Sequence, residues 1–334
     1  MIIANGKFTK KAYCGNCFHI IEWDTPEAEQ LISGHRVVEC PECGSFSRVR
    51  KAEYIEKDVV ENPQVYLNGV AYETVTAAIS AAKPGDTLAL AKDETIDSVN
   101  LKNDMTLDLN GHKLTTNNTI YAKGNTVIEN GEIIATKSTD LFYANGAGNT
   151  LTLNGVTFDS KRNGVTLNNG GTAIINDCIT SAQEATFYTG GKSTLIINGG
   201  EHTSRDNGIV MDNGSDNSKA GNKITINGGY FEGHITSAGY LAHIIYLAND
   251  DSVSIKGGAF KVENGSAIVV RAGKLYVGPN ASFEATGDAT GKVGDGAQPI
   301  PAGHDIIIDT KSNYPAVASL EVNAAGRDIL KIEA

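Results

Sequence analysis

The chain has 334 residues and a formal charge of −11, and no stretch of it is long and apolar enough to cross a membrane as a helix. That length fits two or three domains, and the net acidity argues against non-specific binding to nucleic acid. Glycine is abundant at 37 residues and aromatics make up only 7%, a balance suited to many tight turns.

The N-terminal stretch MIIANGKFTKKAYCGNC has no apolar core after a charged start, so no secretory leader is expected in it. Cys14-Gly-Asn-Cys17 and Cys40-Pro-Glu-Cys43-Gly44 form a CxxC…CxxC pair. Each CxxC is a turn that can present two thiolates to one ion, and four thiolates make a closed tetrahedral structural site. Cys14, Cys17, Cys40 and Cys43 are therefore expected to hold one structural Zn²⁺ per chain. Two disulfides are the alternative, and the lack of a leader weighs against them. A module of residues 1–60 has too little core to fold without its metal. Its cations, Lys7, Lys10, Lys11, Arg36, Arg48, Arg50, Lys51 and Lys57, are matched by acids such as Glu22, Glu29, Glu39 and Glu42. This zinc-ribbon-like module is thus expected to dock to protein rather than to nucleic acid. The single Trp23 belongs to its small core or its docking face.

Residues 72–82 (YETVTAAISAA) place Val75, Ala78, Ile79 and Ala82 on one helical face. The turn Lys83-Pro84-Gly85-Asp86-Thr87 and an apolar run over 88–90 follow.

A phrase then repeats. TLTLNGVTFDS (150–160), TLIINGGEHTS (194–204), KITINGGYFEG (223–233) and SVSIKGGAFKV (252–262) share a strand–turn–strand pattern. Indexed on Asn110, Asn130, Asn154, Asn176, Asn198, Asn227 and Lys256, the spacings are 20, 24, 22, 22, 29 and 29 residues. Apolar residues one and three before the index alternate with polar ones, which marks a strand with one face inward. Glu129 breaks this register, and Ile128 signals a local slip. Gly follows every index residue except Asn176, where Asp177 stands, and supplies positive φ for a sharp corner. Leu114, Ile134, Phe158, Phe231 and Phe260 are expected on a second inward strand. Val165/Leu167, Ile209/Met211, Ile245/Leu247 and Ile268/Val270 are expected on a third. A hairpin at each Asn-Gly is the local alternative. Three strand-like pieces per unit of about 22 residues instead predict one turn of a parallel β-helix, with loops such as 213–222 lengthening the longer units.

The amphipathic helix and P-G-D-T turn leading into these strands resemble the entry of the pectate-lyase-like right-handed β-helix superfamily. The resemblance covers residues 65–284. It implies an all-β fold: a right-handed, single-stranded parallel β-helix over 61–285, with 61–100 as its N-terminal cap. It does not imply an activity, because lyases, hydrolases, phage tailspikes and structural proteins share the fold.

Beyond Glu284 the pattern changes. Residues 286–301 (TGDATGKVGDGAQPIP) suggest a loop or linker, and 306–308, 318–322 and 329–332 suggest short strands. Residues 286–334 are expected to be a C-terminal cap or small β module.

No catalytic set stands out, and no enzymatic activity is expected. The best assembly of polar residues is Glu184, Arg205, Asp206, Asp212 and Arg271, with His202 and His234, and it fits no mechanism. Tyr188, Tyr230, Tyr240 and Tyr246 could form a sugar-stacking stripe or serve packing. The histidines suit solvent-exposed places, and Cys178 a buried one. Asp-Asn-Gly at 206–208 and 212–214 is turn chemistry.

The architecture points to a bacteriophage virion protein, a capsid decoration or fibre protein. The zinc-ribbon-like module would dock to capsid or tail proteins and the β-helix would project, facing host-surface polysaccharide, as a monomer or homotrimer. A polysaccharide depolymerase and a surface carbohydrate-binding adhesin are the alternatives.

Overall fold

The computed structural model describes residues 10–14, 16–23, 29–33, 35–48, 60, 62–206, 208–212, 217–234, 237–294, 298–310 and 320–332. The chain divides into two compact units, Met1–Pro63 and Gln64–Ala334.

In the first unit, Lys10–Tyr13 pairs antiparallel with Ile20–Trp23. Glu29–Ile32, His35–Glu39 and Phe46–Arg48 form a three-stranded antiparallel sheet. Alternation in Ile20–Trp23 turns Ile21 and Trp23 inward. Among the described residues they join Cys14, Val38 and Cys40 in one small buried cluster, and Val37 is buried as well. Of the expected cations, Lys10, Lys11, Arg36 and Arg48 stand on these strands, and Lys7, Arg50, Lys51 and Lys57 lie outside the described residues.

The second unit opens with a hairpin of Val65–Leu67 and Val70–Tyr72. The predicted helix follows as Val75–Ala81, with Val75, Ala78 and Ile79 buried. Thr74 caps it, its hydroxyl accepting from the Ala77 N–H at 3.1 Å. The turn after the helix is pinned by Asp86, which accepts from the Lys83 N–H at 2.7 Å and from the Asn68 amide at 2.8 Å.

From Thr87 the chain winds as a parallel β-solenoid of about ten turns. Three ladders run along it. Thr106–Asp108, Thr172–Asn176, Thr194–Ile197 and Lys223–Ile226 lie in the first, and Lys113–Thr116, Cys178–Ala182, Gly200–Ser204 and Tyr230–Gly233 in the second. Asn125–Ala135, Thr150–Ser160, Ser252–Val262 and Gly273–Ala285 run unbroken through the corner and merge the two ladders into one 17-stranded sheet. The third ladder is a nine-stranded sheet from Ile120–Tyr121 to Ile329–Ile332. Successive repeats pair in parallel, so the hairpin alternative at Asn-Gly does not hold.

The inward rows follow the alternation in the sequence. Leu107, Leu151, Leu195, Ile224 and Val253 are buried on the first ladder, and Phe158, Phe231 and Phe260 on the second. The slip signalled by Ile128 is present. Ile128 pairs with Leu107 and Leu153, and Glu129 pairs with Asp108 and Asn154. The position equivalent to Asn154 is thus Asp108 or Glu129, not Asn110 or Asn130. This displacement carries into the second ladder, where Ile133 is buried and Ile134, expected inward, is not. The corner φ shifts as well. Asn110 and Asn130 take φ of 53° and 60° themselves, whereas Gly155 and Asp177 take 57° and 50° after their index residues.

Residues 286–294 and 298–301 are not a free linker. Thr290–Gly291 pairs with Ile300–Pro301. Val293, Ile300 and Ala302 pack with Leu241 over Met211, Tyr246, Val269 and Ile307 on the outer face of the third ladder. Ile306–Asp309 and Ile329–Ile332 extend that ladder, and Leu320–Asn323 extends the first. Residues 318–319, expected in that last strand, lie outside the described residues.

Candidate functional sites

The first candidate is the cysteine cluster. Its two CxxC turns are built alike: Phe18 N–H donates to Cys14 O at 3.0 Å, and Gly44 N–H to Cys40 O at 2.9 Å. Phe18 takes φ 61° where its counterpart Gly44 takes 67°, so an exposed aromatic holds a left-handed seat suited to glycine. The folding of each turn aims two sulfurs at the other pair. All four sulfurs lie within 4.8 Å of one another, close enough to hold a metal ion. Cys14 and Cys43 are 3.5 Å apart and Cys17 and Cys40 3.6 Å, too far for disulfide bonds.

The N–H groups of Asn16 and Cys17 point at Cys14 Sγ, at 3.4 and 3.5 Å, as suits a thiolate. The Cys17 and Asn16 N–H groups hold the Cys14 thiol below its ordinary value. The Ser45 side chain, then its backbone, holds Cys43 down to about 6. The His19 backbone favours the Cys17 thiolate, but the crowding sulfurs, Cys43 first, push Cys17 up to about 12. Four sulfurs this close need a cation to ionise together.

The structure does not bring the expected polar assembly together. His202 lies inside the solenoid, its ring nitrogens bonded to the Thr180 hydroxyl at 2.9 Å and Gly199 O at 3.0 Å. Burial pulls it down to about 4, so the ring is neutral, against the expectation of exposed histidines. His243 is buried too and is likewise pulled down to about 4. Arg271 is buried with Asp309 at 3.1 Å and the Tyr246 hydroxyl at 2.5 Å. Asp212 is buried on the inside, accepting the N–H groups of Ala248 and Asn249 at 2.6 and 2.8 Å. Burial, then the Asp251 charge, pushes Asp212 up to about 8. Glu184 lies outside, 3.5 Å from Arg162. Cys178 is buried as expected, and burial raises its thiol.

Arg205 and His234 do come together. They line a cleft of about 860 Å³ with Gln183, Tyr240, Glu263 and Asn264, and Asp206 stands behind Ser237 on its wall, its carboxylate accepting the Ser237 hydroxyl at 2.8 Å. The tyrosine stripe is divided. Tyr188 and Tyr246 share an outward row of the third ladder, Tyr230 bonds Glu232 on the second, and Tyr240 lines the cleft. Asn207, Asn213 and Gly214 of the two turn motifs lie outside the described residues.

No family model matches the chain, and no curated protein or solved structure matches it significantly.

Proposed function

We propose that this chain is a bacteriophage virion structural protein, a capsid decoration or fibre protein docked by its four-cysteine unit and projecting its solenoid toward host-surface polysaccharide. The observation that carries this reading is the contrast between the two units. Among the described residues the first buries a small cluster around Cys14 and Cys40 and exposes Phe18, Ile20, Leu31, Ile32 and Phe46, as many large apolar side chains as the far longer second unit exposes. The second has a continuous apolar core along its ladders. Exposed large apolar groups on a small module suit protein docking. A solenoid whose coils hold one another suits a rigid projecting body.

The metal of the docking unit is zinc in this reading. An all-thiolate site selects zinc or iron–sulfur chemistry. Tetrahedral zinc with arms of about 2.3 Å places its sulfurs about 3.8 Å apart, close to the separations in the cluster. Cys14, Cys17, Cys40 and Cys43 would hold it as a closed structural site.

Peptide mass spectrometry and metal analysis of purified particles, from a phage carrying this gene, test the proposal. The expected result is many copies per particle with one zinc per chain. Absence of the chain from particles would overturn the virion reading.

A further inference from the structure

The cleft beside Arg205 is built by register. Ala182, Ser204, Gly233 and Val262 pair in succession across four coils of the second ladder. The next residue in each coil is therefore equivalent: Gln183, Arg205, His234 and Glu263. Neighbouring strands are about 4.8 Å apart, so this polar row spans about 14 Å along the solenoid axis. Its counterpart one coil earlier is Lys161, beyond Ser160.

The opposite wall is the loop through Ser237–Leu241. It is held at both ends: Leu241 N–H donates to Lys292 O and Lys292 N–H to Gly239 O, each at 2.9 Å, and the Ser237 hydroxyl donates to Asp206 at 2.8 Å. This wall presents the half-buried ring of Tyr240. Arg205 is fixed as well. Its guanidinium donates to Asp159 at 2.7 Å, to Ser181 and Ser160 O at 2.8 Å each, and to Gln183 at 3.1 Å. It therefore shapes the floor, and it shares the Asp159 carboxylate with Lys161, whose ammonium lies 3.0 Å from it. The other polar groups lining the cleft carry amide, imidazole, hydroxyl and carboxylate functions.

We propose that this cleft binds a neutral linear oligosaccharide lying along the axis. A volume of about 860 Å³ falls within the range of ligand sites. The Tyr240 ring offers an apolar, quadrupolar face for the C–H face of a sugar ring. Gln183, Asn264, His234 and Glu263 can exchange hydrogen bonds with hydroxyl groups. A polyanion is disfavoured, because Glu263 faces the cleft, Arg205 is held by Asp159 and the chain carries −11 overall. The site deepens the glycan-facing part of the function proposed above and rests on it, but not on docking.

The test is binding of the full chain to a panel of linear oligosaccharides of glucose, xylose and N-acetylglucosamine, with oligogalacturonate as the acidic arm. The expected result is binding of at least one neutral member, weakened about tenfold by Tyr240→Ala and by Gln183→Ala, with the β-sheet circular dichroism of the folded solenoid kept in both variants. Binding of oligogalacturonate alone would overturn the neutral class. Neutral binding unchanged in both variants, or no binding across the panel, would overturn the site. A chain found in particles that binds no sugar would sink this proposal and leave docking standing. A chain that binds sugar but is absent from particles would do the reverse.

Discussion

The side-chain amide of Asn198 donates to the side-chain oxygen of Asn176 one coil away, at 2.6 Å. The bond is one step of a ladder. Asn176 donates to Asn154 at 2.8 Å, Asn227 to Asn198 at 2.6 Å, and Asn154 to Glu129 at 3.2 Å. Each inner amide both donates and accepts along the axis, so the chain of bonds is self-consistent. Asn176→Ala removes two such bonds and is expected to cost about 1–2 kcal/mol, since a single bond contributes about 0.5–1.5. Denaturant melts should show a lower midpoint at an unchanged slope. An unchanged midpoint would mean that the ladder does not stabilise the coils.

A second stack runs inside. Phe231 and Phe260 lie 4.8 Å apart with 4° between their rings, and Phe283 continues at 5.0 Å. His202 sits 4.9 Å from Phe231 at the other end. Phe260 is gripped on both sides and fully buried, so Phe260→Ala is expected to cost about 3–5 kcal/mol. Phe283 is half-buried at the end of the row, and Phe283→Ala should cost less. Equal losses in chemical denaturation would contradict this ordering.

Much of this was legible before any coordinates. Period-two alternation named the inward residues of the first ladder, and the phenylalanines of the second, because one buried face imposes that pattern. Ile128 beside Glu129 announced the slip, but its consequence at Ile133 and Ile134 needed the strand pairing. The Asn residues were visible as turn formers. Their stacking was not, because it depends on which coil lies next to which. His202 stands four past Asn198, the inward place of Phe158 and Phe231 after their own index residues, so the repeat marks it as buried; the polarity of histidine points the other way, and only its bonds to Thr180 and Gly199 show how burial is tolerated. The four cysteines were legible as a set because CxxC spacing is itself a geometric statement. The polar row of the cleft is legible too, because Gln183, Arg205, His234 and Glu263 each stand seven past an index residue, whereas the opposite wall at Ser237–Leu241 is not, because it is held by bonds to distant Lys292.

The buried titratable groups set a pH dependence with opposed slopes. Asp212 is raised from 3.8 to about 8 by burial and the Asp251 charge. Its contribution to stability is full below about 4 and is lost as the pH rises toward 8. His202 and His243 are lowered from 6.5 to about 4 by burial. Their contributions are full above 6.5 and are lost as the pH falls toward 4. Between about 6.5 and 8 the histidines contribute no slope, so the solenoid should lose stability with rising pH there. Asp212→Asn should flatten that segment, read by β-sheet circular dichroism on melting at several pH values. A variant that keeps the wild-type slope would remove Asp212 as its source.

Metal removal should dismantle one unit and spare the other. The single tryptophan, Trp23, is buried in a cluster with Cys14 and Cys40, and its indole N–H donates to Glu29 at 2.8 Å. Without a cation the clustered sulfurs repel or protonate, and so small a cluster cannot hold the turns together. Chelation, or Cys40→Ser, should therefore shift Trp23 emission to the red as water reaches the indole. The solenoid has its own core, so its β-sheet circular dichroism should persist under the same treatment. Zinc added back to the chelated protein should restore the blue emission at one equivalent per chain. Emission that ignores chelator and zinc alike would mean that the four cysteines shape the unit without a metal.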